Sequence, residues 1–316
     1  MREHVARALT VAGSDSGGGA GIQADLKTMH QFRVYGMSVV TALTAQNTLG
    51  VQGIYEVSPG FVRLQLEAVF ADLGADALKT GMLANADIIR TVAAFLRGAR
   101  SANLVVDPVM VAKGGSRLLA EDSVQSLAAD LLPLAAVVTP NLPEAEALCG
   151  YPLRNWADCH RAARDIAGLG PKIVVIKGGH MPSGLFADEA GEWEKRRAGA
   201  DPFGENPAVD LVYADGRFTY FAARRIDSRR THGTGCTFSA AVASMLARGA
   251  PALAAIAAAK AFTHAAVSGA RDWDVGAGCG PTDHFAPAPD WFEPVPGHFH
   301  LLRGGRWTVG ERGGAE

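Results

Sequence analysis

The sequence lacks a large excess of charge of either sign. It contains 30 lysines and arginines against 32 aspartates and glutamates among 316 residues, which gives a formal net charge of −2. This balance excludes a nucleic-acid-binding protein that works through a basic surface. With 48% hydrophobic residues, the composition also excludes a largely disordered chain. We therefore expect small-molecule partners and no nucleic acid.

Long hydrophobic runs and paired cysteines are also missing. The longest apolar stretch, residues 252–267, contains Lys260 and His264, whereas a membrane span needs about 18 or more apolar residues. The apolar run near the N-terminus stops at Gly13, too early for a signal peptide. The four cysteines are Cys149, Cys159, Cys236 and Cys279, and no two of them form a C-x-x-C pair. Their spacing therefore indicates neither a zinc site nor a disulfide framework. We expect a cytoplasmic protein with reduced thiols and no membrane contact.

Short apolar runs alternate with segments of helical spacing along most of the chain. The predicted strands are residues 9–12, 38–43, 77–80, 104–107, 136–139 and 173–176, followed by a hairpin of 210–214 and 218–223. Helical spacing occurs at 61–73, 86–95, 124–132, 160–169, 234–248 and 251–271. This alternation predicts an α/β fold with a mostly parallel sheet covered on both faces. In such a sheet, ligands bind beyond the carboxyl ends of the strands.

Two segments fall outside this pattern. Residues 182–207 are rich in glycine, proline and charge, and are predicted to be a flexible insertion. Residues 287–316 are predicted to be a partly disordered C-terminal extension, in which His298 and His300 lie at the surface. The remaining residues, 1–286, are expected to form one domain.

A glycine-rich segment, residues 13–21 with the sequence GSDSGGGAG, joins the first predicted strand to a helix. Glycines there allow backbone N–H groups to approach a ligand. Residues 19–24 fit the G-x-G-x-x-A spacing of a dinucleotide site, but no acidic residue between Asp25 and Glu56 supplies the ribose contact. A dinucleotide site is therefore rejected, and no P-loop motif occurs. A flexible loop without ligand is the alternative.

A second segment, residues 231–237 with the sequence THGTGCT, leads into an apolar helix. Free N–H groups from Gly233 to Cys236 at the helix start would form an anion site. The helix dipole is expected to lower the pKa of the Cys236 thiol. That thiol is then a candidate to take a proton from an attacking hydroxyl group. The alternative is a small core cysteine.

Polar side chains follow three other predicted strands. Asn141 and Glu144, in TPNLPE, are suited to holding a hydrated Mg²⁺, and Asp107 would add a second negative charge. For Glu144 alone, a first-turn helix residue favoured by the dipole is the better interpretation. Lys177 ends a strand before two glycines and suits a phosphate group, with a solvated strand end as the alternative.

Seven strings in this order resemble the ribokinase-like superfamily and, within it, the hydroxymethylpyrimidine/phosphomethylpyrimidine kinase family of thiamine biosynthesis. They are AGSDSGGGAGIQADLKT, VVTALTAQNT, KTGMLA, VVDPVMVAKGG, VTPNLPEAE, VIKGGH and THGTGCTFSAA. The resemblance spans residues 8–285 and implies a three-layer α/β/α sandwich. It also implies phosphoryl transfer from ATP with Mg²⁺, first to the alcohol 4-amino-5-hydroxymethyl-2-methylpyrimidine and then to its monophosphate.

The resemblance assigns residues to the nucleotide and the reacting groups. It makes Cys236 the general base, beside an anion hole formed by Gly233, Thr234 and Gly235. The residues implied to contact ATP are Lys177, Asn141, Thr234 and Lys260, the last beside the adenine. Mg²⁺ would be organised by Asn141 and Glu144, with Asp107 nearby.

The resemblance also assigns the pyrimidine pocket. Gln46 matches the glutamine that reads the pyrimidine, and Gly13, Asp25 and Met82 match positions that line the pocket. A carboxamide suits this role because its donor and acceptor can pair with an amino group and the adjacent ring nitrogen. Without the resemblance, Gln46 would be interpreted as a loop amide and Asp25 as a solvated helix charge.

Two other functions stay open. A pyridoxal or pyridoxine kinase of the same subgroup would also act on a hydroxymethyl heteroaromatic compound through a cysteine base. A catalytically inactive relative would bind the pyrimidine as a regulatory module, although Cys236, Glu144 and Lys177 argue against it. The resemblance further implies a homodimer.

Overall fold

The computed structural model describes residues 4–99, 103–110, 121–179 and 207–312. Eleven strands form one sheet: β1 (Arg7–Asp15), β2 (Tyr35–Asn47), β3 (Gly50–Glu56), β4 (Ala77–Thr80), β5 (Leu104–Val106), β6 (Val137–Val138), β7 (Ile173–Ile176), β8 (Ala208–Ala214), β9 (Arg217–Ala223), β10 (His298–Arg303) and β11 (Arg306–Arg312). Their order across the sheet is β11-β10-β9-β8-β7-β6-β5-β4-β1-β2-β3.

The helices in the described residues are α1 (Gly21–Gln31), α2 (Pro59–Asp72), α3 (Ala86–Gly98), α4 (Glu121–Ser126), α5 (Leu142–Cys149), α6 (Trp156–Gly168), α7 (Thr234–Ala247) and α8 (Ala252–Gly269). A π-helical turn and a short 3₁₀ turn continue α4 as far as Leu134. Side chains cap several of these helices; Ser58, for example, accepts a hydrogen bond from the Phe61 N–H at the start of α2.

The centre of the sheet is parallel, as the sequence predicts. Strands β2, β1, β4, β5, β6 and β7 run in one direction, with Leu9 of β1 opposite Met37 of β2 and Leu78 of β4. Strands buried on both faces are continuous apolar runs, which makes them recognisable in the sequence. The predicted hairpin is confirmed as the antiparallel pair β8 and β9.

Alternate residues of the strands face two separate helix layers. Leu9 and Val11 of β1 belong to a core cluster that includes side chains of α2, α3 and α6. Ala8 faces the other way, into a cluster with side chains of α1, α7 and α8. The chain therefore forms the expected α/β/α sandwich, and the parallel strand ends lie together at one edge of it.

One described helix, α8, is long and apolar enough to cross a membrane by length and composition. Two thirds of it (67%) is buried inside the protein, and it packs against α7. Its alanines allow that close packing. Thus α8 has the burial of a core helix.

The sheet extends further at both edges than the sequence analysis predicts. Strand β3 pairs antiparallel with β2. At the other edge, β10 pairs parallel with β9, and β11 pairs antiparallel with β10. Gly304 and Gly305, both with positive φ, form the turn of this hairpin. The segment of the C-terminal extension at 298–312 is therefore ordered in the sheet, and residues 313–316 lie outside the described residues.

The prediction that His300 lies at the surface is wrong. Its side chain is fully buried and stacks on Phe221 of β9, with 5.0 Å between the ring centroids. Pairing of β10 with the already buried β9 carries His300 into the core, because successive residues of a strand point to opposite faces. His298 is only partly buried. Of the predicted insertion, residues 182–206 lie outside the described residues, so its flexibility stays a prediction.

Candidate active site

Most of the predicted site residues come together at the carboxyl ends of the parallel strands and at the start of α7; Asp25 and Lys260 are buried within helices. Helix α7 packs on α1, β1, β4 and β5, so its first turn lies over several strand ends at once. The segments that contribute are 13–21, 46, 79–82, 107, 141–144, 177 and 231–236. This arrangement follows from the parallel topology, which places all these ends at one edge.

The glycine-rich loop after β1 is organised by its own aspartate. The Asp15 carboxylate accepts hydrogen bonds from the N–H groups of Gly17 (2.8 Å), Gly19 (3.1 Å) and Ala20 (2.8 Å). It also lies 2.8 Å from Nε2 of His232. Burial would raise the pKa of Asp15, but the hydrogen bonds from His232 and the loop amides outweigh it and lower that pKa. These amides therefore bind Asp15 in this structure rather than facing a ligand.

Backbone contact joins that loop to the start of α7. Gly233 is the N-cap residue, with φ of +81°, and a Cβ atom at this position would overlap the carbonyl oxygen of Gly19. No side chain caps α7. Thr234 instead donates its hydroxyl to the Thr231 carbonyl (2.7 Å). The glycine thus permits a contact that fixes the helix start against the β1 loop.

Gly235, the next glycine of the motif, lies against the buried ion pair of Asp107 and Lys177. A Cβ atom at Gly235 would lie 3.4 Å from Oδ2 of Asp107 and 3.4 Å from Nζ of Lys177. Asp107, at the end of β5, accepts hydrogen bonds from Lys177 (2.8 Å) and from Thr139 (3.2 Å). Burial raises the pKa of Asp107, but Lys177 and then Lys79 outweigh it and hold that pKa below its ordinary value. The ionised pair therefore lies next to the first turn of α7.

Cys236 lies in the first turn of α7 and is partly exposed. Burial of the sulfur raises the pKa of the Cys236 thiol to about 11, and the negative charges of Asp25 and Asp107 add to the rise, while Lys79 opposes it. The prediction of a lowered thiol pKa is therefore wrong for the protein alone. Desolvation and neighbouring carboxylates exceed the influence of the helix start.

Asp25 is fully buried in an ion pair that the sequence analysis did not predict. Its carboxylate lies 3.0 and 2.8 Å from Nζ of Lys79, and one oxygen also accepts a hydrogen bond from Thr10 (2.6 Å). Both side chains of the ion pair are 0% exposed. Asp25 and Lys79 thus lie behind the surface of the site, between α1 and β4. A lysine within a buried strand was the available signal, because a buried charge needs a partner.

Asn141 and Glu144 form a reciprocal cap at the start of α5. The Asn141 side chain accepts from the Glu144 N–H (2.9 Å), and the Glu144 carboxylate accepts from the Asn141 N–H (2.8 Å). Burial raises the pKa of Glu144 to about 7; Lys177 opposes that rise and Asp107 adds to it. The interpretation of Glu144 as a first-turn helix residue is confirmed, and the same buried carboxylate can still hold a cation.

The carboxylate pair fits Mg²⁺ by its chemistry. Asp107 and Glu144 follow adjacent strands, their charges repel, and one lysine, Lys177, compensates both. Oxygen ligands of this kind suit a hydrated Mg²⁺ that is held mainly by phosphates. Among the described residues, no group of three or more His, Cys, Asp or Glu side chains could hold a metal ion by itself. The carboxylates would therefore supply only part of the coordination.

The predicted pyrimidine residues lie around the ends of β1 and β2. Gln46 is half-buried, and one terminal atom of its carboxamide lies 3.3 Å from Nε2 of His232. Gly13 packs against Met82, because a Cβ atom at Gly13 would overlap the Met82 Cε. The Gly13 N–H also donates to the Met82 carbonyl (3.1 Å). His232 was not assigned a role from the sequence.

Lys260, predicted beside the adenine, is buried in α8. Its Nζ lies 3.0 Å from the Asp210 carboxylate, which also accepts the Gly178 N–H (2.9 Å). This links α8 to the loop that follows Lys177. The predicted adenine contact stays a prediction.

Comparisons with known proteins agree with this geometry. A family model described as phosphomethylpyrimidine kinase matches residues 15–283. The chain is 42% identical over 280 residues to the hydroxymethylpyrimidine/phosphomethylpyrimidine kinase of Bacillus subtilis, covering 89% of this chain and 95% of that protein. It is 47% identical over 282 residues to the thiamine biosynthesis bifunctional protein ThiED of Geobacter sulfurreducens, covering 89% of this chain and about half (53%) of that longer protein.

A solved structure shows the same architecture. The ADP complex of Bacillus subtilis pyridoxal kinase superimposes with a TM-score of 0.77 and 39% identity, covering 90% of this chain and 98% of that one. The structural similarity therefore extends to an enzyme named for a different hydroxymethyl compound.

The contact between Gly233 and Gly19 predicts an unusually costly substitution. Gly233→Ala should destabilise the protein by several kcal/mol, because the methyl group meets backbone in addition to the strain of positive φ, about 1–2 kcal/mol. The matched control is Gly216→Ala, at a hairpin turn with φ of +73° and no atom near the added Cβ. Chemical denaturation measures both, and equal losses would contradict the contact.

Proposed function

The chain belongs to the phosphomethylpyrimidine kinase family, and from this premise we propose that it phosphorylates 4-amino-5-hydroxymethyl-2-methylpyrimidine and then its monophosphate, in thiamine biosynthesis. ATP is the phosphoryl donor. The observation that supports phosphoryl transfer best is the close approach of Gly235, in the first turn of α7, to the Asp107–Lys177 ion pair. The backbone N–H groups of a helix start and the ammonium group of a lysine, lying at the same place, can bind a polyphosphate that gives up its terminal phosphoryl group.

Positioning and charge neutralisation carry most of the proposed reaction. Lys177 and the backbone N–H groups of Gly233, Thr234 and Gly235 hold the transferring phosphoryl group. Asp107 accepts a hydrogen bond from Lys177 and so orients its ammonium group. The Asn141 cap fixes Glu144 nearby. Lys260 is proposed beside the adenine.

Cys236 is proposed as the proton acceptor. As the substrate oxygen forms its bond to phosphorus, the bond between that phosphorus and the ADP oxygen breaks, and the hydroxyl proton passes to the Cys236 sulfur. The thiolate is needed at the start of this step, and Lys79 is a buried positive charge that favours it.

All four cysteines are free thiols, in agreement with the predicted cytoplasmic location.

Asp107 and Glu144 are the residues proposed to hold Mg²⁺. When bound, the ion would neutralise charge on the ATP phosphates. The charge of Asp107 adds to the raised pKa of Glu144, and the positive charge of a cation held by these residues would oppose that effect. Gln46, Gly13 and Met82 are proposed to line the pyrimidine pocket, together with Asp25, which is buried against Lys79.

A pyridoxal kinase is the second candidate function. The 39% identity and TM-score of 0.77 to Bacillus subtilis pyridoxal kinase favour it. Coverage of 95% of a hydroxymethylpyrimidine/phosphomethylpyrimidine kinase at 42% identity favours the pyrimidine. An inactive regulatory module is less consistent with the chain, because such a protein needs neither Cys236 nor Lys177.

A substrate comparison tests the proposed function. The purified protein is given Mg·ATP with hydroxymethylpyrimidine, its monophosphate or pyridoxal, and ADP production is measured. We expect turnover of both pyrimidines, with kcat/KM at least tenfold above that for pyridoxal. Brisk turnover of pyridoxal alone would establish the second candidate, and no turnover of any substrate would support the inactive module.

The role of Cys236 predicts a loss of rate and a characteristic pH dependence. Cys236→Ala should lower kcat by about 10²- to 10⁴-fold, the usual contribution of a general base. Because the thiol pKa lies near 11, the thiolate fraction and kcat/KM of the wild type should rise about tenfold per pH unit above pH 7. Cys149→Ala, at the far end of α5, is the matched control. An unchanged kcat in Cys236→Ala would contradict the role of general base and would support the alternative that Cys236 is a small core residue.

We also propose a homodimer formed through the β3 edge of the sheet. Exposed apolar side chains cluster on the consecutive elements β2, β3 and α2: Leu43, Tyr55, Phe61 and Leu64. Leu43 and Tyr55 are direct cross-strand neighbours. An unpaired edge with an apolar surface of this kind suits a second copy of the chain.

The dimer is tested by light scattering during gel filtration. The wild type should elute as two chains and Leu64→Glu as one, because a charge in an apolar contact is not compensated. Val309→Glu, on exposed β11 at the opposite edge, should remain dimeric. A monomeric wild type, or a dimeric Leu64→Glu, would exclude this surface as the interface.

A further inference from the structure

The backbone of Gln46 is held by the hydroxyl group of a serine in the glycine-rich loop. Oγ of Ser16 accepts a hydrogen bond from the Gln46 N–H (2.8 Å) and donates one to the Gln46 carbonyl (2.8 Å). A hydroxyl group has one proton and two lone pairs, so it can make both contacts at the same time. The side chain of Ser16 thus takes the place of a neighbouring strand at this residue of β2.

Strand β1 does not supply these contacts, because it turns away from β2 before Gln46 is reached. The last pair of residues between the two strands is Asp15 with Thr44. The Asp15 carbonyl then accepts the N–H of Gly18 (2.9 Å), which closes a turn. The turn leads the main chain away from β2, and the Ser16 side chain bridges the gap to Gln46.

On its other side, β2 is irregular at the same position. Ala45 lies opposite Gly53 of β3, whereas Gln46 lies opposite Val51, so one residue of β3 has no opposite residue. A register shift of this kind bends a strand and redirects its side chains. Regular pairing is therefore interrupted on both sides of Gln46, where Ser16 bonds to both backbone groups.

The residues that flank Gln46 are anchored by other groups. Oγ1 of Thr44 donates to a carbonyl of β1 (2.9 Å). The carbonyl of Thr48 accepts the N–H of Cys279 (2.9 Å). Loss of the Ser16 hydroxyl should therefore release the backbone at Gln46 while the residues on either side of it stay in place.

From these contacts we infer that Ser16 is a positioning residue for the pyrimidine, because it holds the Gln46 backbone where the carboxamide can meet the ring. This role rests on the proposed function, in which Gln46 binds the pyrimidine. A displacement of about 1 Å is enough to impair a binding group. Since Ser16 acts through Gln46, its loss can weaken pyrimidine binding no more than loss of the Gln46 side chain does.

The test measures KM for hydroxymethylpyrimidine and KM for ATP in single and double variants. Ser16→Ala should raise KM for the pyrimidine by about 5- to 20-fold, since two hydrogen bonds to the Gln46 backbone are lost, with kcat changed less than threefold. KM for ATP should change less than twofold, because the groups proposed for the nucleotide do not depend on Gln46. In a Gln46→Ala background, Ser16→Ala should have no further effect on KM for the pyrimidine.

A matched pair of variants separates the hydroxyl group from side-chain shape. Ser16→Thr and Ser16→Val add side chains of the same shape, of which only the first retains a hydroxyl. Ser16→Thr should keep KM for the pyrimidine within about threefold of wild type, and Ser16→Val should raise it as Ser16→Ala does. Ser58→Ala is the control for stability, because that side chain also accepts a backbone N–H, at the start of α2; both KM values should stay unchanged.

Three results would overturn the role of Ser16. They are an unchanged KM for the pyrimidine in Ser16→Ala, an equal rise in KM for the pyrimidine and for ATP, and the same effect of Ser16→Ala with and without the Gln46 side chain. Circular dichroism verifies folding, and Ser16→Val replaces Ser16→Ala if the latter does not fold. If the wild type does not phosphorylate hydroxymethylpyrimidine at all, the proposed function itself fails and the inference with it.

Discussion

The contact between Gly233 and the carbonyl of Gly19 determines the geometry of the whole site. It holds the first turn of α7 against the loop after β1, with no side chain between the two backbones. Because α7 begins there, Gly235 lies on the Asp107–Lys177 pair, and His232 meets Asp15. The proposed phosphoryl site and the proposed pyrimidine site are thus positioned by one backbone approach.

Below this contact, buried charge is balanced in pairs except at one position. Lys79 compensates Asp25, and Lys177 compensates Asp107. Glu144 has no ion-pair partner of its own among the described residues, and its pKa is raised to about 7 in consequence of burial and of Asp107. Burial of the sulfur, together with the nearby carboxylates, also raises the pKa of the Cys236 thiol and keeps it protonated in the protein alone. A cation bound with the ATP phosphates would act on both groups in the same direction, because it reduces the excess negative charge.

The central sheet and the position of the site could be predicted from the sequence, whereas the partners of its buried groups could not. Strands β5 and β7 are continuous apolar runs, and polar motifs at the ends of the parallel strands must converge at one edge of the sheet. The pairs Lys79–Asp25 and His232–Asp15 join residues 54 and 217 positions apart, and no local pattern encodes such contacts. The same holds for the hairpin β10–β11, in which β10 pairs with β9 and β11 pairs only with β10 among the described strands. The raised pKa of the Cys236 thiol cannot be predicted from the local helix start, because its causes are burial of the sulfur and carboxylates on other elements.

Substrate choice within this fold also depends on contacts between residues that are far apart in the sequence. The groups proposed for phosphoryl transfer, Lys177 and the start of α7, act on ATP and on a hydroxymethyl group, which the pyrimidine and pyridoxal share. Discrimination must therefore come from contacts to the rest of the ring, where Gln46 is proposed to bind. A carboxamide alone is a weak determinant, because its two orientations differ little unless neighbours distinguish oxygen from nitrogen. Next to Gln46, Nε2 of His232 lies 2.8 Å from the Asp15 carboxylate, and the same carboxylate holds three amides of the glycine-rich loop. Gln46 is in this way connected to the loop whose contact with Gly233 fixes the start of α7.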